Sequence, residues 1–178
     1  GQDKSVALLL ELNAKIDSMH RKETKEIRDD DDSSVSIIIE TTRNLIKDGS
    51  FSAALDTIKL TLEKSEVGTE AKARLHAMLA ACYSKTGQID KASFHLDTSY
   101  NLRPQSNKGK TCKAISRLLN GSPLDSLALL EKLVFEENPD SMAVTTYLHA
   151  LHNVGRINDI DKYIALNPNI LYDFNAKY

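Results

Sequence analysis

The sequence predicts an all-α fold: a solenoid of stacked helical hairpins with an extra helix at the N-terminus. Three observations predict it. Four glycines, Gly49, Gly87, Gly121 and Gly155, follow one another at intervals of 38, 34 and 34 residues. Each sits between two stretches whose apolar or small residues recur at helical spacing. Caps and prolines fall where such units open and close. A near-constant period of this size marks repeated supersecondary units. Glycine suits the hairpin turn because a tight turn between helices needs a residue that tolerates positive φ. A single hairpin cannot bury both of its faces, so neighbours must stack, and three or more are expected.

Residues 1–32 are expected to form a leading helix and an acidic linker. Leu9, Leu12, Ile16 and Met19 make one apolar stripe within a helix over 4–28. Residues 22–28 are charged on nearly all sides. The stripe is too short for a coiled-coil seam, so a cover for the first repeat is the simpler reading, with docking or self-association through this helix as the alternative. Asp29, Asp30, Asp31 and Asp32 precede a helix start, where carboxylates favour the positive end of the helix dipole. Consecutive aspartates lack the alternating spacing of a calcium loop.

The repeat domain is expected over 33–178. Its first unit, 34–66, carries Leu45, Gly49, Phe51, Ala54 and Ile58 but no closing proline. Four extra residues, 67–70, account for the longer first interval. The second unit, 73–104, has Leu75, Ala77, Leu79, Ala80, Ala81 and Tyr83 before its glycine. After the glycine come Ile89, Ala92, Leu96, Ser99 and Tyr100, and Pro104 closes the unit. The third, 107–139, offers Ala114, Leu118, Gly121 and Pro139, with Ser122 as N-cap, Pro123 at the first helical position and Asp125 in the first turn. The fourth, 141–168, is degenerate: Val144, Leu148, Leu151, Gly155 and Ile157 fit, but Ile160 replaces a small residue and Pro168 arrives early. Asp140 is its expected N-cap. A tail with Tyr172, Phe174 and Tyr178 is expected to pack on the last repeat.

Residues 73–104 resemble the tetratricopeptide repeat. Ala80 stands where that motif brings two helices close, Tyr83 where it has an aromatic, Gly87 at its turn, Ala92 at its second small position and Pro104 at its close. The resemblance implies a right-handed superhelix whose first helices line a concave groove, and a non-enzymatic scaffold that holds another protein. By that register the groove takes Ile39, Arg43 and Lys47; Arg74, Ala77, Ala81 and Lys85; Lys108, Thr111 and Ile115; and Thr145, His149 and His152. These residues include cations and no acid, so the expected partner is an extended or helical segment carrying acidic residues. Family members that grip chaperone C-termini use a set of Lys, Asn and Arg. Here the matching positions are Ile39, Arg43, Met78, Lys108 and Cys112, and Lys108 alone fits. An adaptor or subunit of a multiprotein assembly is therefore expected. The runner-up is RNA binding, because residues 144–158 resemble pentatricopeptide repeats.

Composition limits the alternatives. Lys and Arg number 23 against 25 Asp and Glu, a net charge of −2, so the basic excess usual in nucleic-acid binders is missing. Apolar residues make up 41% and charged residues 27%, enough for a core and a polar surface. The two cysteines, Cys82 and Cys112, have no near neighbour in sequence and read as core thiols in a reducing, cytoplasmic setting. No apolar run suits a membrane span or a secretory signal. Gly1 in the place of Met suggests an end left by cleavage of something longer. Asn120, Gly121 and Ser122 read as a turn rather than a glycosylation site.

A search for chemistry finds little. Gly109, Lys110 and Thr111 look like the end of a phosphate loop, but the first glycine of that motif would fall at Pro104. His149 and His152 share a helix face without a third ligand. No nucleophile–histidine–acid series is visible. No enzyme activity, cofactor or metal is expected.

Overall fold

The computed structural model describes residues 33–64 and 66–170. Among these it is all-helical: α1 Ser33–Lys47, α2 Phe51–Lys64, α3 Thr69–Lys85, α4 Ile89–Leu102, α5 Asn107–Leu119, α6 Pro123–Val134, α7 Ser141–Asn153 and α8 Ile157–Leu166. The expected leading helix, the acidic linker and the aromatic tail lie outside the described residues.

Each helix packs on the next in the chain, and α1 also meets α3 as α5 meets α7. Within each pair the link is three residues long: 48–50, 86–88, 120–122 and 154–156. All four links are one structure repeated. The glycine has φ between 76° and 78°, and its N–H donates to the carbonyl three residues back. The next residue's N–H donates five back: Ser50 to Leu45 at 2.8 Å, Gln88 to Tyr83 at 2.8 Å, Ser122 to Arg117 at 2.9 Å and Arg156 to Leu151 at 2.9 Å. This is the Schellman closure, which satisfies the last carbonyls of the helix and needs a left-handed residue at the turn.

A Cβ at Gly87 would touch nothing, so glycine is there for its backbone angle alone. Gly109 is the opposite case. Its backbone angle is ordinary, but a Cβ there would fall against the Arg103 carbonyl oxygen, well inside contact distance. The first turn of α5 is laid directly on the end of α4, and only glycine permits it.

The larger of two hydrophobic clusters reaches all eight helices, from Val35 and Ile39 to Tyr163, and a smaller one gathers Ile46, Ala54 and Cys82. Ala80 and Ala92 are wholly buried, on two helices that pack against each other. Each fully buried leucine, such as Leu75, Leu96, Leu130 and Leu151, contributes roughly 1.5–3 kcal/mol relative to exposure. The buried hydroxyls of Thr42, Thr61, Thr111, Thr145 and Thr146 each bond the carbonyl one turn back at 2.7–2.8 Å. Their burial therefore strands no polar group.

The boundaries sharpen two expectations. Of the four extra residues 67–70, Thr69 and Glu70 open α3, which is 17 residues long against 13 for α5 and α7. Ser122 stands at the N-cap of α6 but makes no side-chain capping bond; its ψ of 64° departs from the extended 146° and 131° of Ser106 and Asp140, which do cap. Pro123 at the first helical position still fits. Asp140 caps α7 as expected, accepting from the Met142 N–H at 2.8 Å.

Candidate functional site

The expected groove residues divide by burial. Ile39, Thr111 and Ile115 have no surface to offer: Ile39 and Ile115 are core side chains, and Thr111 is wholly buried with its hydroxyl bonded to Asn107. Ala81 and Thr145 are also buried. The reason is geometric: these positions lie on the flank where a first helix meets its neighbours, so the apolar stripe extends over them. Lys47 and His152 are exposed, and Ala77, Lys85, Lys108 and His149 are half-buried.

The charges are less basic than the groove residues alone imply. Arg43 is buried and its Nη1 donates to Glu40 Oε2 at 3.0 Å, one turn away. Arg74 Nε lies 3.5 Å from Glu70 Oε1. The same carboxylate oxygen accepts from Arg103 Nη1 at 2.9 Å, and Arg103 Nη2 donates to Ser99 Oγ at 3.2 Å. Ser99 Oγ in turn donates to the Ala73 carbonyl at 2.8 Å. Two arginines thus share one glutamate across the open end of the second hairpin. Burial depresses the His149 basicity and the nearby His152 adds to it.

Sequence reasoning missed a second constellation where α2, α3 and α4 meet. His76 Nδ1 and His95 Nδ1 are 2.9 Å apart; one ring donates its N–H and the other accepts. The His95 ring stacks on His76 at 5.2 Å and on Tyr83 at 5.5 Å, and meets the exposed Phe94 edge-on at 5.2 Å. Lys59 Nζ and Lys91 Nζ stand 5.7 and 5.3 Å from the centre of the Tyr83 ring. Burial holds His95 down to about 4, helped by the charges of His76 and Lys59. Burial also lowers His76, helped by Lys72. The available signals were Tyr83 four residues before the turn glycine and the lysines flanking it, but contacts 19 residues apart are not encoded in helical periodicity.

Both cysteines are buried. Burial pushes the Cys82 thiol up to about 12 and raises Cys112 as well, so neither is poised as a thiolate. Among the described residues no three His, Cys, Asp or Glu side chains are placed to hold a metal, and no helix is long and apolar enough to cross a membrane. No family model matches this chain, and no curated protein or solved structure does either.

Proposed function

We propose that this chain is a non-enzymatic protein-binding scaffold, a right-handed solenoid of four tetratricopeptide-like hairpins that serves as an adaptor or subunit of a larger assembly. The observation that carries the reading is the fourfold recurrence of one turn, with the same left-handed glycine and the same pair of backbone bonds closing each hairpin. Hairpins closed identically and packed in chain order favour a repetitive array over a bundle of unlike helices. The burial of the small Ala80 and Ala92 and Pro104 after α4 support the tetratricopeptide form of that array.

The binding surface in this reading is the face of the first helices, centred on the accessible Lys47, Ala77, Lys85, Lys108, His149 and His152. Its partner is an extended or helical protein segment. Glu40 and Glu70 moderate its basic character, so apolar and hydrogen-bonding contacts carry much of the recognition. Charge reversal at Lys47 and Lys108, both away from the buried pairs, is expected to reduce recovery of co-purifying proteins identified by mass spectrometry while leaving the helical circular dichroism unchanged. Full recovery by the double variant would count against this groove. Solution scattering tests the array itself: a solenoid gives an elongated particle, and a compact one would remove the scaffold reading.

A further inference from the structure

The first hairpin, α1 and α2, is fastened to the chain differently from the others. Its joint with α3 is the least extensive of the three joints between hairpins. Most of that joint is made by α2, which buries Ala54, Ile58 and Thr61. The Thr57 and Thr61 hydroxyls bond back to their own helix, as do Thr42 and Arg43 on α1. At the next joint Ser93, Ser116 and Asn120 bond across from one hairpin to the other. At the last, the Tyr163 hydroxyl donates to the Val134 carbonyl among three interlocked rings. The first joint is sealed instead by the small cluster of Ile46 from α1, Ala54 from α2 and Cys82 from α3, with Phe51 and Met78 partly buried beside it. A unit held by few buried apolar side chains opens at a lower free energy than the whole fold. Where units touch mainly their neighbours, an end unit can leave without disturbing the rest.

We propose that the first hairpin lifts off α3 as a unit while the other three stay folded, and that this motion uncovers Cys82. The Cys82 side chain is wholly buried against Ile46 and Ala54. Cys112 is buried as well, but on α5, beside Ser99 of α4 and Arg103 after it, away from the first joint. The two thiols therefore report on two different openings. Burial keeps both protonated in the closed fold, so reaction at either one marks the moment it is uncovered. The motion divides the first helices: Lys47 travels with α1, while Lys85 and Lys108 stay behind. The proposal rests on the packing of the joint and not on what those residues bind.

The test treats the full chain with N-ethylmaleimide in the absence of denaturant. Peptide mass spectrometry follows alkylation at each cysteine against time, and each rate is divided by that of the same thiol in the denatured chain. By this measure Cys82 is expected to react about tenfold faster than Cys112, or more. Ile58→Val removes one methyl group from the first hairpin's contact with the core, a change small enough to keep the fold. It is expected to raise the Cys82 rate about threefold and to leave the Cys112 rate unchanged. Hydrogen exchange gives a reading that does not depend on thiols: the amides of α1 and α2 are expected to lose protection together, and before those of α3 to α7. Equal rates at the two cysteines, or an equal rise at both in Ile58→Val, would mean that the chain opens only as a whole and would overturn the proposal. Earlier exchange in α7 than in α1 and α2 would overturn it too, since position at a chain end, and not the small first joint, would then decide what opens.

Discussion

The second and third hairpins exchange polar side-chain bonds over their shared apolar core, whereas the third and fourth meet through rings and branched aliphatics. Between α4 and α5, Ser93 Oγ and Ser116 Oγ are 2.8 Å apart, Asn120 Nδ2 donates to Ser93 at 2.8 Å, and Lys113 donates to Asp97 at 3.1 Å. Between α6 and the α7–α8 pair, Leu130, Leu133 and Val134 are buried beside Tyr147 and Tyr163. Phe135, Tyr147 and Tyr163 meet edge-on at 5.4–6.1 Å, and the Tyr163 hydroxyl donates to the Val134 carbonyl at 2.6 Å. The two joints divide two tasks. Buried area supplies the larger free energy at the aromatic joint. Directional bonds at the polar joint fix how one hairpin sits on the next, with little net stability from each.

Four measurements sharpen or break that contrast. Tyr163→Ala is expected to destabilise the chain most, by about 3–5 kcal/mol, read from denaturant midpoints. Tyr163→Phe, which keeps the ring and loses the hydroxyl, should cost only about 1 kcal/mol; an equal loss from both would make the aromatic joint a polar one. Gly109→Ala comes next, at about 1–3 kcal/mol, because its methyl group meets the Arg103 carbonyl, whereas alanine in an unobstructed helix would be favourable. Ser116→Ala should cost about 1 kcal/mol, since Ser93 keeps Asn120 as a partner; a loss near that of Tyr163→Ala would erase the distinction.

The smallest effect is the dependence on pH. His95 is held to about 4 against an ordinary 6.5, and His76 is lowered in the same sense. The unfolded chain therefore takes up protons first as pH falls. The stability held by His95 is complete above about 6.5 and declines from there toward 4, where protonation of its folded form ends the loss; His76 contributes in the same direction. Thermal melts across that window should show the decline, and His95→Gln should flatten it; an unchanged slope would remove the pair as its source.

Much of the fold was legible because its signals are local. A turn glycine and a helical stripe are both written within a few residues, so all four turns and the Asp140 cap are where the sequence places them. The helix start at Thr69 was not legible, since extra residues between two stripes lengthen a loop or a helix with equal ease. Of the residues expected to line a groove, some lie on the surface and some do not. Lys47 and His152 are exposed, but Ile39, Thr111 and Ile115 were assigned to a surface by register alone, and register does not say how far the buried stripe extends. Glu40 and Glu70 were overlooked as neutralising neighbours although they stand three and four residues before Arg43 and Arg74. The His76–His95 contact depends on how α3 and α4 are rotated against each other, which no local pattern records.

The longer α3 has a consequence for how such a protein could be altered. Its additional residues interrupt the 34-residue rhythm, and among them is Glu70, the acid that Arg103 and Arg74 share. Trimming them to even out the spacing of the hairpins would leave the Arg103 guanidinium inside the protein without its counter-charge, a change far costlier than losing an exposed pair. This hairpin is consequently not interchangeable with the others: an exchange of hairpins would have to carry the irregular start of α3 along with it.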